Sequence, residues 1–157
     1  MKTFLKIMVF MFVLSVTTGC SQDEDSAPEA LEATPNNVSG IWSLSEVDGK
    51  PLPEGLFCYI EFIRRERTFV MYQKFDSMYP RRLTGEFSIT NDEYKGNILD
   101  GKYDYGMGNW NNSYIVTSLF KESMVLTADS EDGEICKYVR CNEVPDEILD
   151  WFDPNSI

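Results

Sequence analysis

Catalysis and metal binding need bases, nucleophiles or ligands at set spacings, and this chain supplies mainly carboxylates. It carries 26 acidic residues against 14 basic ones and no histidine. The commonest general base, transition-metal ligand and activator of serine or cysteine is therefore missing. Asp129, Glu131, Asp132 and Glu134 gather around Gly133, but their spacing departs from the 12-residue calcium loop that ends in glutamate. They read as a solvated acidic turn. Asp100 with Asp104, and Asp146 with Glu147 and Asp150, read the same way; a glycosidase pair must stand about 5–9 Å apart in a cleft, and chain spacing selects no such pair. No serine sits in a GxSxG elbow, no glycine-rich loop precedes Lys–Ser/Thr, and no CxxC occurs. The expectation is a protein that is not an enzyme, with no catalytic residue, no metal and no cofactor.

Residues suited to recognition are easier to find. In YDYGMGNWNN, Tyr103, Tyr105, Met107 and Trp110 are spaced by glycines, a composition fit for an aromatic rim around a ligand entrance, which Tyr79 before Pro80 could join. A wide hairpin whose aromatics cover one end of the fold accounts for the same residues. Arg64, Arg65 and Arg67, joined by Arg81 and Arg82 if their strands are neighbours, form a basic spot in an acidic chain. Arg64 and Arg81 could receive a carboxylate or sulfate, or the cluster could be a hairpin corner compensating nearby acids. Cys58, Cys136 and Cys141 could include one disulfide from Cys58 or be buried thiols. Cys136 and Cys141, five residues apart on one strand, face opposite sides and do not bridge each other.

The elements that would position these residues are short strands. GIWSLSEV ends at an Asp48–Gly49 turn signal, CYIEFI spans 58–63, TFVMYQKF 68–75 and RRLTGEFSIT 81–90. YKGNILDGKYDY follows Asn91–Asp92, with Asp100–Gly101 expected to mark a reversal or bulge; NSYIVTSLF, KESMVLTAD and EICKYVRC complete eight strands. No segment from 38 to 141 has the 3.6-residue period of a long amphipathic helix. Eight sequential antiparallel strands hide their edges most simply by closing, so an all-β up-and-down barrel is expected, with a two-sheet sandwich as the competing fold. VPDEILDWF, opening at Pro145, predicts a short C-terminal helix that plugs or flanks it.

At the other end, Lys2 and Lys6 precede the apolar run Ile7–Leu14, and small residues lead to Cys20. That is the order of a secretory signal, and its core falls short of the about 20 residues that span a bilayer. Val16, Thr17, Thr18 and Gly19 before Cys20 resemble a bacterial lipobox. The resemblance implies a signal peptide over 1–19, cleaved before a lipidated Cys20 that anchors the protein to a membrane. Cleavage removes two lysines, leaving 12 basic side chains against 26 acidic, a formal charge of −14. So acidic a chain repels phosphate backbones, which argues against nucleic acid as a partner. Residues 20–37, rich in Asp, Glu, Ser, Ala, Pro and Asn, predict a flexible stalk ahead of a domain over 38–157. Asp23, Glu24 and Asp25 resemble the signal that exports Bacteroidetes lipoproteins to the cell surface, with the periplasmic face of the outer membrane as the alternative. Asp25–Ser26–Ala27 and Asp76–Ser77–Met78 resemble the O-glycosylation site of that phylum, with Ser26 and Ser77 as acceptors.

The ordered set GIWSLSEVDG, RRLTGEFSIT, YIVTSLF, SMVLTAD and EICKYVRC resembles the lipocalin-like lipoprotein domains of Bacteroidetes over about residues 38–141. It implies a cup-shaped barrel whose floor is closed by Trp42 with Arg140 packed across it. The function expected from it is capture of a small apolar or amphipathic molecule. The alternative is a filled barrel acting as an accessory module of an outer-membrane protein assembly.

Overall fold

The computed structural model describes residues 28–75 and 77–153. Its centre is an antiparallel sheet of β1 (Gly40–Val47), β2 (Lys50–Pro51), β3 (Phe57–Ile63), β4 (Thr68–Lys74), β5 (Arg81–Asp92), β6 (Gly96–Tyr103), β7 (Tyr114–Leu119), β8 (Ser123–Ala128) and β9 (Ile135–Cys141). Every strand from β3 to β9 pairs with the next, and β1 pairs with both β3 and β9. Eight strands thus close into an up-and-down barrel, and the sandwich alternative is set aside. The dipeptide strand β2 is an addition: Asp48 (φ 50°) and Gly49 (φ 72°) turn the chain back on the end of β1. Positive φ at both turn positions is what an Asp-Gly pair supplies at least cost.

Period-two alternation sorts the side chains. In β3, Cys58, Ile60 and Phe62 are buried while their neighbours are less so, and their ladder partners Gln73, Met71 and Phe69 of β4 share the inner face. At one end the interior is solid: Trp42, Phe62, Phe69, Leu99 and Met124 are fully buried.

Three departures from the sequence expectation are informative. The stalk expected through residue 37 ends earlier, because the Leu31 N–H donates to the Leu119 carbonyl (2.7 Å), Ala33 is buried and Pro35–Val38 forms a helical turn, α1. Thr34 caps it by accepting from the Asn37 N–H, and Pro35 occupies the first turn. Leu31, Ala33 and Val38 pack against the core, which offsets the cost of ordering so polar a segment. Gly101 is neither reversal nor bulge but lies within β6 opposite Phe87; the chain reverses at Asp104–Met107 instead. The C-terminal segment, α2 (Asp146–Leu149) followed by a 3-10 turn (Asp150–Phe152), flanks the barrel. It buries Ile148 and sets Phe152 5.5 Å from Tyr72, a β4 residue on the face opposite Gln73.

Arg140 locks the solid end. Its guanidinium lies 4.1 Å from the Trp42 ring centre and donates to the carbonyls of Ser39 (2.6 Å), Asn37 (2.9 Å) and Lys121 (2.6 Å). The Trp42 indole N–H in turn donates to the Val38 carbonyl at 2.8 Å. One cation thus joins α1, the start of β1 and the β7–β8 turn. Lysine keeps the charge but not the planar fork. Arg140→Lys is therefore expected to destabilise the fold by about 2 kcal/mol, read as a lower urea midpoint with unchanged slope; an unchanged midpoint would remove the clamp from this account.

Candidate functional site

Towards the other end the barrel is hollow. A cavity of about 300 Å³ opens above Phe62, walled by Leu44, Ile60, Met71, Leu126 and Tyr138 and by the two thiols Cys58 and Cys136. Phe75, Asn111, Asn112 and Glu134, from loops at the same end, form its rim. At about 30 Å³ per molecule this is room for about ten waters or a small organic ligand.

Trp110 forms one wall, and its placement has a backbone cause. Beyond β6 the chain folds back on itself: the Tyr103 N–H donates to Gly108 O, and the Trp110 N–H to Gly101 O, both at 2.8 Å. Trp110 therefore stands across from Gly101, and a Cβ added at Gly101 would overlap the indole ring. The missing side chain is the seat for the ring, as when an aromatic covers a glycine across a sheet. From there the indole packs edge-on to Phe69 (5.2 Å) and Tyr114 (6.0 Å). Its Nε1 is buried, with no hydrogen-bond partner among the described residues.

Other polar groups in the wall are held neutral. Burial, the largest cause, pushes the Tyr114 hydroxyl up to about 12 and lifts Tyr138 well above an ordinary tyrosine. Burial, followed by the neighbouring Glu134 charge, pushes the Cys136 thiol up to about 12; its Sγ lies 3.5 Å from Glu134 Oε1. Cys136 and Cys141 are free thiols, and Cys58 and Cys136 are buried. Gln73, only 8% exposed, is the one buried polar side chain among the described residues, and it faces the cavity.

The residues singled out from sequence are only partly brought together. Trp110 and Tyr103 line the cavity, Tyr103 edge-on to Phe69 at 5.9 Å. Tyr105 (95% exposed, φ 58°) and Met107 occupy the outward tip of the hairpin, and Tyr79 (74% exposed) lies in the β4–β5 loop outside the lining. A rim shared by all five aromatic and methionine positions does not form. Arg64 belongs to the β3–β4 turn at the solid end, where it donates to Asn36 of α1. It corresponds to the hairpin-corner reading, not to a ligand contact. Arg81 stands opposite Gln73 in the β4–β5 ladder but is exposed and outside the cavity wall. Ser77 donates to the Tyr79 carbonyl and accepts from its N–H. Cys20 and Ser26 lie outside the described residues. Among the described residues, no group of three or more Cys, Asp or Glu could hold a metal ion. Gln73 is the site residue that sequence reasoning missed. Its signal was a polar residue in the alternating set Phe69, Met71, Gln73.

A closed eight-stranded barrel with a cavity at one end is an architecture compatible with binding a ligand or a partner. Compared with known families and curated proteins, the chain matches no family model and no curated sequence.

Two measurements check this geometry. Gly101→Ala is expected to expel the indole, red-shifting part of the tryptophan emission and lowering the melting temperature; unchanged emission would mean the ring is seated elsewhere. In an alkaline titration, Tyr114 and Cys136 bind their protons more tightly folded than unfolded, so stability is unaffected below the unfolded pKa values and falls as pH rises from about 9 towards 12. Phenolate absorbance should therefore show Tyr114 and Tyr138 among the 8 tyrosines ionising only as the fold opens. Smooth titration of all 8 near the ordinary tyrosine pKa contradicts this.

Proposed function

We propose that this protein is a membrane-anchored, non-enzymatic binding domain whose barrel captures a small apolar or amphipathic molecule. The observation that carries the reading is the end cavity of about 300 Å³, walled by aliphatic, aromatic and thiol side chains around a single buried amide. Sites for small ligands are concave, mostly apolar and equipped with few polar groups. Burying apolar ligand surface there contributes about 25 cal/mol per Å².

The anchor is the lipid on Cys20, supported by the lipobox-like VTTGC. Buried acyl chains contribute about 0.8 kcal/mol per methylene, so more than one chain holds a protein stably. The acidic residues that follow support display at the cell surface, and the ordered strand motifs support kinship with the lipocalin-like lipoproteins of Bacteroidetes. A second reading, an accessory module of an outer-membrane assembly, draws on the exposed Met78, Tyr79, Tyr105 and Trp151, side chains suited to a protein contact.

Native mass spectrometry of the protein from its own host, followed by denaturation, separates the two. A stoichiometric small apolar compound is the expected release; a bare chain that takes up nothing from a lipid extract transfers the weight to the accessory module. Cys20→Ser is expected to move the protein from the membrane to the soluble fraction, and continued sedimentation with membranes would contradict the lipid anchor.

A further inference from the structure

The proposed binding reading leaves the ligand's polar chemistry open, and the cavity wall narrows it. The inference rests on that reading. Glu134 is the charged residue in the wall, and its carboxylate is joined there only by neutral groups: Gln73, Asn111, Asn112, tyrosines and thiols. The arginines that could have held an anion are elsewhere, Arg64 bound to Asn36 and Arg140 to three carbonyls at the solid end. Arg81, opposite Gln73 in the ladder, is exposed and outside the cavity wall. Moving a carboxylate out of water costs several kcal/mol unless a cation or several donors meet it, and here it would meet a like charge.

Gln73 supplies the opposite preference. It is nine-tenths buried and lines the cavity. A primary amide presents one donor edge and one acceptor edge, so the group that satisfies it carries both. A ligand edge that meets this amide contributes about 1 kcal/mol net of the water it displaces.

We infer that the cavity selects uncharged or cationic amphiphiles, with a donor–acceptor edge for Gln73 and a donor for Glu134, and discriminates against carboxylates such as fatty acids. The two side chains divide the work. Gln73 fixes the orientation of the polar end, while Glu134 at the rim sets the sign of charge admitted.

The test is calorimetric titration of the mature chain carrying Cys20→Ser with octanamide, octylamine and octanoate, near neutral pH and in about 0.15 M salt to screen the acidic surface. Octanamide and octylamine are expected to bind about tenfold or more tighter than octanoate. Glu134→Gln should weaken octylamine alone and improve octanoate, and Gln73→Leu, close in volume, should weaken octanamide about tenfold. Should Gln73→Leu fail to fold by circular dichroism, Glu134→Gln on its loop carries the test. Octanoate binding as tightly as octanamide, or an amine preference that survives Glu134→Gln, overturns the inference while leaving the cavity a binding site. No binding of any of the three overturns the binding reading itself.

Discussion

A guanidinium laid on an indole is the contact on which the rest of this structure depends. Arg140 stacks 4.1 Å above Trp42 and gathers three backbone carbonyls from three segments. A strand meander is only a curved sheet until its first and last strands meet, and Trp42 and Arg140 face each other across that seam in the β1–β9 ladder. The carbonyls they satisfy belong to chain leaving regular structure, where unpaired backbone groups would otherwise be costly. Gly40 completes the arrangement: at φ 116° it adopts a backbone angle other residues resist, and a Cβ there would press on the Arg140 guanidinium at 2.5 Å.

With one end fixed, the other can stay hollow. Large side chains fill the Trp42 end, whereas Gly85 and Gly101 put no side chain into the barrel from β5 and β6. Each absence admits something specific. A side chain at Gly85 would strike the Lys102 carbonyl and the Phe69 ring, so the two strands approach closely there. At Gly101 the vacated space holds Trp110, which also compensates for the thin β6–β7 pairing of only two ladder rungs. Ser113 donating to Asp100 pins the bend between Trp110 and β7. Packing and cavity thus follow from the same economy of side-chain volume.

Much of this was legible in the sequence. All eight barrel strands show alternation strong enough to be placed, and the Asp48–Gly49 pair announces its own turn, because both signals are local. What escaped depends on partners distant in sequence or on volume. Gly101 read as a reversal because an isolated glycine looks alike at a turn and beneath an aromatic ring; only the register with Trp110 separates the cases. Leu31 and Ala33 are single apolar residues in an acidic run, with no period to betray their contact with the barrel. The arginines clustered by composition, yet the up-and-down path sends Arg64 to the solid end and Arg81 to the open one. Among the aromatics, the turn at Asp104–Met107 divides inward Tyr103 and Trp110 from Tyr105 at its outward tip, a division the loop-like composition concealed.

On the proposed reading the Trp42 end is a fixed floor and the Trp110 end a ligand chamber, and the chain's three tryptophans report on the two ends separately. Trp42 lies in the floor, Trp110 in the chamber wall and Trp151 on the outer surface. With 5-fluorotryptophan incorporated, titration with octanamide followed by fluorine NMR should shift the Trp110 resonance while those of Trp42 and Trp151 stay in place. A shift confined to Trp151 would put the ligand outside the barrel, and movement of Trp42 would mean that the floor is not fixed; either result would contradict the account.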